Sequence, residues 1–370
     1  MWGVPMPMAP PLAHGPIHND APRASFSTAG LGTLDAVMKQ YVTDGKLGGA
    51  VVMIQQDGRE VFSEAYGWRD REAGVAMQED TIFRIASQTK ALTSVSIMML
   101  MEEGKLVLED PVGKFLPEWQ KTTVAVAKDK GGYDVVPAKR AITIRDLLSH
   151  TAGVSYGTGP GEKAWRDAGI FGWYFADKDV PVSNVVAKMA KLPMAAQPGE
   201  QWVYGYNTDI LGVVVEKLSG KSLDVFLKER LIDPLGMTDT AFWCPPEKLD
   251  RFAGCYMPGP GGKLRLQDDA RASTYAAPPN LESGGGGLVS TAHDYMRFCR
   301  MMLGKGTLDG VQILSPKTVE MFSLNLLEGG RELLDMAPAG SFSETSYAGF
   351  GFSIACGVKT DVGAGRLPGT

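Results

Sequence analysis

The 370-residue chain is 44% hydrophobic and 21% charged, a composition that excludes overall disorder. Its 37 Lys and Arg residues against 42 Asp and Glu give a net charge of −5, so nucleic acid is not expected as a partner. The longest apolar stretches, such as residues 210–215, are far shorter than the roughly 18 residues that cross a bilayer, and no membrane span is expected.

The N-terminus and the cysteines both bear on the compartment. Residues 1–29 are Pro-rich, carry no Lys or Arg before Arg23 and lack an apolar segment with a cleavage site, which predicts a flexible extension and not a signal peptide. The cysteines show no C-x-x-C pair and no His at metal-ligand spacing: Cys244, Cys255, Cys299 and Cys356. We therefore expect free thiols, no metal, no cofactor and a cytoplasmic protein, with the periplasm as the alternative if the N-terminus is misassigned.

The apolar pattern predicts the secondary structure in chain order. A helix is expected over residues 31–43, followed by a β-hairpin over 50–55 and 60–66 around Asp57-Gly58. From about residue 87 to 290 strand signals are scarce, and helical patterns recur at 87–103, 144–149, 182–191, 208–218 and 222–231. After the glycine run 284–287, helices are expected at 291–303 and 315–322, and a strand at 349–358.

This order of elements predicts a split domain. A terminal strand can join an N-terminal hairpin in one sheet, so residues 30–86 and 284–370 are expected to form an α/β domain, an α+β sandwich whose antiparallel sheet is flanked by helices. Residues 87–283 would then be a mostly α-helical inserted domain.

A Ser-x-x-Lys motif, Ser87 to Lys90, opens an apolar helix. Lys90 is the only charged residue between Ser87 and Met101, and a lysine is rarely buried without a reason because desolvating its ammonium is costly. On one helix face, a lysine of lowered pKa can take the Ser87 proton. The Ser87 backbone N–H at the helix start would face an oxyanion. The string alone occurs about once by chance, and a capping serine with a snorkelling lysine is the structural alternative.

A second candidate nucleophile is Ser155, in a Gly-x-Ser-x-Gly string at 153–157. The nucleophile elbow of α/β-hydrolases needs a strand before the serine and a helix after it, whereas here a predicted helix precedes and a glycine-rich stretch follows. We therefore expect a loop without a catalytic role. His150, at the end of the predicted helix, is expected to cap its carbonyls.

Several segments carry a resemblance to a known superfamily: FRIASQTK at 83–90, DLLSHTAG at 146–153, PGE at 198–200 and DPLGMTDT at 233–240. Over about residues 30–365 the chain resembles the serine β-lactamase-like superfamily of class C β-lactamases, DD-peptidases and family VIII carboxylesterases. The segments at 202–212 and 283–290 are most similar to the carboxylesterase branch. The resemblance implies a β-lactamase/DD-peptidase-like fold in which Ser87 is the acyl-enzyme nucleophile, Lys90 activates it, and Tyr204 begins the Tyr-x-Asn motif.

The chain departs from that motif at its third position. Tyr206 stands where the family has Asn, and Asn207 follows one residue later. Since the esterase branch commonly lacks this Asn, the departure favours esters over lactams, and Tyr206 and Asn207 are the candidate substrate-binding residues. A tyrosine beside a lysine ammonium can have a lowered phenol pKa and carry protons between nucleophile, leaving group and water, which is the role expected of Tyr204.

The expected function is therefore a serine hydrolase that forms an acyl-enzyme, acting as a carboxylesterase on short-chain acyl esters. A β-lactamase, a D-aminopeptidase or a transesterase are the alternatives within the same chemistry. A non-catalytic protein that keeps the penicillin-recognising fold is the alternative from another class. The expected partner is a small-molecule ester or β-lactam-like substrate, and self-association is left open.

The resemblance also implies a third motif, Lys-Thr-Gly or a Trp/His-Gly-Gly equivalent, after the strand at 349–358. The sequence stops at Thr370, where that motif would begin. We expect a truncated form that lacks the motif and the C-terminal strands, or a partner chain or swapped segment that completes the sheet. Such a form would have an unpaired hairpin edge and weak catalysis.

Overall fold

The computed structural model describes residues 26–172, 179–338, 347–361 and 363–365. Most of the predicted N-terminal extension lies outside the described residues. The helices are α1 (Thr28–Thr43), α2 (Thr89–Glu102), α3 (Ile144–Leu148), α4 (Glu162–Asp167), α5 (Val182–Met189), α6 (Asn207–Ser219), α7 (Leu223–Leu227), α8 (Asp233–Leu235), α9 (Ala292–Leu303), α10 (Pro316–Met321) and α11 (Leu333–Met336).

The strands are short apart from the first two. They are β1 (Gly49–Gln56), β2 (Arg59–Asp70), β3 (Val75–Ala76), β4 (Phe83–Arg84), β5 (Thr123–Ala127), β6 (Tyr133–Pro137), β7 (Pro193–Met194), β8 (Cys255–Pro258), β9 (Leu264–Asp268), β10 (Val289–Ser290), β11 (Thr307–Leu308), β12 (Val311–Gln312), β13 (Phe350–Phe352) and β14 (Gly357–Lys359). Within the described ranges, no helix has the length and apolar character needed to cross a membrane.

The predicted N-terminal helix and hairpin are confirmed. Ser27 caps α1 by accepting a hydrogen bond from the Gly30 N–H. β1 pairs antiparallel with β2, and the turn between them has φ values of 50° at Asp57 and 75° at Gly58, the left-handed conformation that Asp-Gly turns favour. In the described part of the chain, β1 pairs with β2 and β2 also with β3, while α1 packs on β2 and α9 on β1.

Helix α2 lies at the centre of the main hydrophobic core. Its residues from Leu92 to Leu100 are all buried, which agrees with the apolar character of the sequence on all its faces. It packs against α6, whose first nine residues are also buried. The N-terminal ends of these two helices carry the candidate site residues, so the core fixes their relative positions.

The middle of the chain contains more strand than the sequence pattern predicted. β5 pairs antiparallel with β6 and parallel with β7, and β8 forms a hairpin with β9. The contact between β5 and β7 joins residues about 70 positions apart, so no local pattern marks it. The prediction that residues 87–283 are mostly helical therefore overlooked these small sheets.

The single terminal strand predicted over residues 349–358 is wrong. The chain forms two short strands, β13 and β14, that pair with each other, and in the described residues neither joins the N-terminal hairpin. Between them Ala355 has a φ of 54°, and its N–H bonds the carbonyl of Leu148. This tertiary contact bends the segment back on itself, which the extended apolar pattern did not reveal.

The two segments of the proposed split domain, residues 30–86 and 284–370, are in contact where the first ends and the second begins. β4 pairs antiparallel with β10, and this brings the segment before Ser87 next to the segment that follows the glycine run. The division into a domain of residues 30–86 and 284–370 and an insertion of residues 87–283 stays a prediction.

Candidate active site

Ser87 lies in a 3-10 turn, Ala86–Gln88, that leads directly into α2. Ala86 has a φ of 43°, in the left-handed region that L residues seldom occupy and at a cost of roughly 1 kcal/mol. The hydroxyl of Tyr295 donates to the carbonyl of Gln88 at 3.1 Å and holds the turn from α9. The turn leaves Ser87 partly exposed while the helix behind it is buried.

Lys90 is 2% exposed and lies beside Ser87, as its position three residues further along the helix predicts. Its Nζ is 3.0 Å from Ser87 Oγ. Nζ also donates to the carbonyl of Gly285 at 2.7 Å and lies 3.3 Å from the hydroxyl of Tyr156. The amine is thus held in hydrogen-bonding contact with the serine from the interior of the protein.

Tyr204 presents the face of its ring to the same amine. Lys90 Nζ is 4.7 Å from the Tyr204 ring centroid, within the range of a cation–π contact. The segment that carries Tyr204 lies directly on the 154–155 loop, because a Cβ at Gly205 would be 2.3 Å from the carbonyl oxygen of Val154. The structure therefore brings Ser87, Lys90 and Tyr204 together.

Tyr156 is a residue of this cluster that sequence reasoning missed. Its hydroxyl contacts Lys90 Nζ, and its ring meets that of Tyr204 edge-on at a centroid distance of 5.8 Å. The neighbouring Ser155 is buried and donates to the carbonyl of Thr158 at 2.8 Å. The glycine-rich string had drawn attention to the serine, although the tyrosine beside it is the side chain that reaches the site.

Tyr206 and Asn207 are not placed where the substrate-binding prediction requires. Tyr206 is fully buried, packs against Trp165, and donates its hydroxyl proton to the carbonyl of Gly172. Asn207 is fully buried as well, and its Nδ2 lies 2.8 Å from Nδ1 of His150. Both side chains are directed into the fold, so their assignment to substrate contact is corrected to a structural one.

His150 does not cap the carbonyls of α3, which corrects the expectation from its position in the chain. It follows the C-cap residue with a φ of 57°, and its ring stacks on Tyr204 at 4.7 Å between centroids. Burial, with the charge of Lys90 as a second cause, holds the pKa of His150 well below its usual range. A neutral imidazole therefore supports the Tyr204 ring.

Further aromatic rings pack against Tyr204. Trp202 lies 5.6 Å from Tyr204 between ring centroids, and Phe352 meets both Trp202, at 5.3 Å, and His150, at 5.4 Å. Trp202 and Phe352 are buried, so these rings form a packed apolar cluster that supports Tyr204 from inside the fold. No group of three His, Cys, Asp or Glu side chains that could hold a metal ion occurs in the part of the chain that is described.

The chain is similar to known proteins over most of its length. A family model described as Beta-lactamase matches residues 34–356. The chain belongs to the beta-lactamase family. The fold class expected from the sequence, an α/β fold of the β-lactamase/DD-peptidase type, is confirmed.

Similar members of the family include proteins with named activities. The chain is 39% identical to Protein Rv1367c of Mycobacterium tuberculosis (strain ATCC 25618 / H37Rv), over 90% of this chain and 80% of that protein. It is 30% identical to Esterase EstB of Burkholderia gladioli, over 71% of this chain and 68% of EstB. The solved structure of EstCE1, a hydrolase with promiscuous acyltransferase activity, matches with a TM-score of 0.72 and 26% identity, over 92% of this chain and 85% of EstCE1. The chain is therefore a β-lactamase-fold enzyme of the hydrolase or acyltransferase class.

Proposed function

We propose that this protein is a carboxylic ester hydrolase that forms an acyl-enzyme on Ser87. The observation that carries the proposal is the 3.0 Å contact between Ser87 Oγ and the Nζ of a lysine that is almost completely buried. Burial disfavours the ammonium form of a lysine, so the amine can act as a base towards the serine. The esterase and acyltransferase activities named for similar proteins support the same chemistry.

In the acylation step Lys90 takes the proton of Ser87 as Oγ attacks the ester carbonyl. The negative charge then develops on the carbonyl oxygen, and the Ser87 backbone N–H, at the N-terminal end of α2, is the proposed donor towards it. When the tetrahedral intermediate collapses, the C–O bond to the alcohol breaks and the departing oxygen takes the proton back from Lys90. Tyr156, whose hydroxyl lies 3.3 Å from Lys90 Nζ, and Tyr204, whose ring faces the amine, are the residues suited to relay that proton.

In the second step water attacks the acyl-enzyme and the same groups act in reverse. One proton of the water passes to Lys90 and from there to Ser87 Oγ as the acyl C–O bond to Ser87 breaks, and the carboxylic acid that leaves releases the other proton to solvent. If an alcohol replaces the water, the product is a new ester. This acyl transfer is the second candidate function, and the promiscuous acyltransferase activity named for the similar EstCE1 supports it.

The position of Asn207 supports esters over β-lactams as substrates. The family motif places an amide beside the catalytic lysine, whereas here the amide of Asn207 bonds His150 and the Tyr206 side chain bonds Gly172. Neither polar group is available to a lactam side chain. A small acyl group that needs no such contact fits this site better.

The test is a panel of p-nitrophenyl esters, from acetate to octanoate, measured beside nitrocefin. We expect kcat/KM for the esters of about two to six carbons to exceed that for nitrocefin by several orders of magnitude. A fluorophosphonate should abolish the activity stoichiometrically. Comparable rates on nitrocefin and p-nitrophenyl butyrate would assign the protein to the lactamases, and absence of labelling to the non-catalytic alternative. A cytoplasmic location stays a prediction, and self-association stays open.

A further inference from the structure

The backbone of Gly285 is held from two opposite sides. Its carbonyl oxygen accepts a hydrogen bond from Lys90 Nζ at 2.7 Å, and its N–H donates to Asp209 Oδ1 at 3.0 Å. The hydroxyl of Ser283 donates to the same carboxylate oxygen at 2.6 Å. A single glycine therefore connects the lysine beside the nucleophile to a carboxylate on another helix.

Asp209 is 1% exposed and belongs to the first turn of α6. Burial raises the pKa of its carboxyl, while its hydrogen bond from Ser283 and the charge of Lys90 act in the opposite direction. Burial, with the charge of Asp209 as a second cause, also raises the pKa of Tyr206 in the turn before α6. Burying a carboxylate is costly unless hydrogen bonds satisfy it, and here those bonds come from the Ser283 hydroxyl and the Gly285 N–H.

The glycine run 284–287 fits closely between the two helices. A Cβ at position 285 would lie 2.5 Å from Asp209 Oδ2, and one at position 284 would lie 2.8 Å from the Thr208 carbonyl oxygen. On the other side, the hydroxyl of Thr93 on α2 donates to the carbonyl of Gly284 at 2.9 Å. Only glycine allows this approach, so the position of the Gly285 carbonyl is set by α2 and α6 together.

We propose that Asp209 is a positioning residue that sets the place and the charge of Lys90 through the Gly285 peptide. The proposal rests on the acyl-enzyme function proposed above. Asp209 fixes the N–H side of the Gly285 backbone, the carbonyl of Gly285 then holds Nζ, and Nζ remains in contact with Ser87. The carboxylate charge also favours the ammonium that forms when Lys90 takes the serine proton. This explains how Lys90 is held although Tyr206 replaces the Asn of the family motif, because a backbone carbonyl takes the place of the side-chain amide.

The test compares Asp209→Ala with Asp209→Asn. The alanine variant loses both hydrogen bonds, and we expect kcat for p-nitrophenyl butyrate to fall by about 100-fold with little change in KM, since a misplaced catalytic group costs on that order. The amide oxygen of Asn still accepts both bonds, so Asp209→Asn should recover most of kcat. Without the negative charge, the ammonium of Lys90 is less favoured. The rise of kcat/KM with pH that reports the deprotonation of Lys90, its pH limb, should therefore move to lower pH.

Asp294→Asn is the matched control. Asp294 is 3% exposed, lies in the first turn of α9, and also accepts a backbone N–H, from Asp239, and a hydroxyl, from Thr240, on one oxygen. We expect Asp294→Asn to leave both kcat and the pH dependence of kcat/KM as in the wild type. Equal pH profiles for Asp209→Asn and Asp294→Asn would overturn the proposal, as would wild-type kcat in Asp209→Ala.

Two further measurements keep the outcome decisive. If Asp209→Ala does not fold, Ser283→Ala removes only the 2.6 Å bond to Oδ1, and we expect kcat to fall by about 3- to 10-fold with unchanged KM. Wild-type kcat in Ser283→Ala, with an unshifted limb in Asp209→Asn, would overturn the inference. A wild-type protein that hydrolyses no ester contradicts the proposed function instead. If the wild type is active and these variants have the same kinetics as the wild type, only the role of Asp209 is contradicted.

Discussion

Ser87 and Ser155 both stand in strings that are typical of nucleophiles, and their surroundings differ. Ser87 Oγ lies 3.0 Å from the amine of Lys90, which can take its proton. Ser155 is 2% exposed and donates its proton to the carbonyl of Thr158, which can only hold the hydroxyl in place. The comparison teaches that the neighbouring group, and not the string, decides which serine is activated.

The backbone around the two serines differs in the same sense. Gly153 and Gly157, on either side of Ser155, have φ values of 77° and 81°, which glycine adopts without strain. Before Ser87 the left-handed residue is Ala86, which has a side chain. Backbone strain is common at functional sites. The turn before Ser87 contains such a strained residue, whereas the left-handed positions on either side of Ser155 are glycines.

Replacing each serine by alanine should give the largest contrast. We expect Ser87→Ala to lower kcat for p-nitrophenyl butyrate by about 10⁴- to 10⁶-fold, because it removes the attacking oxygen. Ser155→Ala should keep kcat within about threefold and lower stability by about 1 kcal/mol through the lost hydrogen bond to Thr158. Steady-state kinetics and thermal unfolding of both variants measure this. The reverse order of activity losses would point to an α/β-hydrolase mechanism.

Lys90 can be tested as a base and as a charge separately. We expect both Lys90→Met and Lys90→Arg to lower kcat by about 10²- to 10⁴-fold, since neither can take the serine proton at neutral pH. Lys90→Met should also lower the melting temperature, because it takes the hydrogen-bond donor away from the buried carbonyl of Gly285. Activity of Lys90→Arg within tenfold of the wild type would show that a fixed charge suffices. A neighbouring base would then no longer explain why Ser87 is activated and Ser155 is not.

The two tyrosines beside Lys90 should differ in their effect on turnover. We expect Tyr204→Phe to lower kcat by about 10²-fold or more, as expected for the loss of a positioned acid. Tyr156→Phe should cost only about tenfold, because its hydroxyl is at the long distance of 3.3 Å from Nζ. Tyr256→Phe, on β8 with its hydroxyl bonded to the Arg71 N–H, is the control with unchanged kcat. A larger loss from Tyr156→Phe would assign the proton relay to the loop of Ser155.

The smallest effect concerns stability next to the glycine run. Burial raises the pKa of Glu282 from 4.5 to about 7, and Asp224 and Glu216 nearby act in the same direction. Because the folded protein holds this proton more tightly than the unfolded chain, the group's contribution to stability is lost as the pH rises from about 4.5 to 7. Glu282→Gln should therefore be more stable than the wild type at pH 8, with a smaller difference at pH 5. Chemical denaturation at both pH values measures this, and an equal difference would contradict it.

The parts of the site that the sequence predicted are those set by local geometry. Ser87 and Lys90 are neighbours on one helical turn, so their contact follows from spacing alone. Tyr204 was found through a motif. The contacts of Lys90 with Tyr156 and Gly285 join residues 66 and 195 positions apart, and no periodicity marks them.

The same limit applies to the fold. The hairpin β1–β2 was predicted because its turn and its apolar runs are adjacent in sequence. The pairing of β5 with β7 depends on distant segments, and so does the bend at Ala355 between β13 and β14. The prediction that Tyr206 and Asn207 bind substrate was wrong for a related reason. Their spacing from Tyr204 did not show that α6 begins at Asn207 and that both side chains point into the fold.

The most direct test of the account is the site of the covalent label. The wild-type protein is treated with a fluorophosphonate, digested, and analysed by tandem mass spectrometry, with the Ser87→Ala and Ser155→Ala variants treated in parallel. The account predicts one label on Ser87 in the wild type, the same label in Ser155→Ala, and none in Ser87→Ala. A label on Ser155, or one that survives in Ser87→Ala, would contradict it.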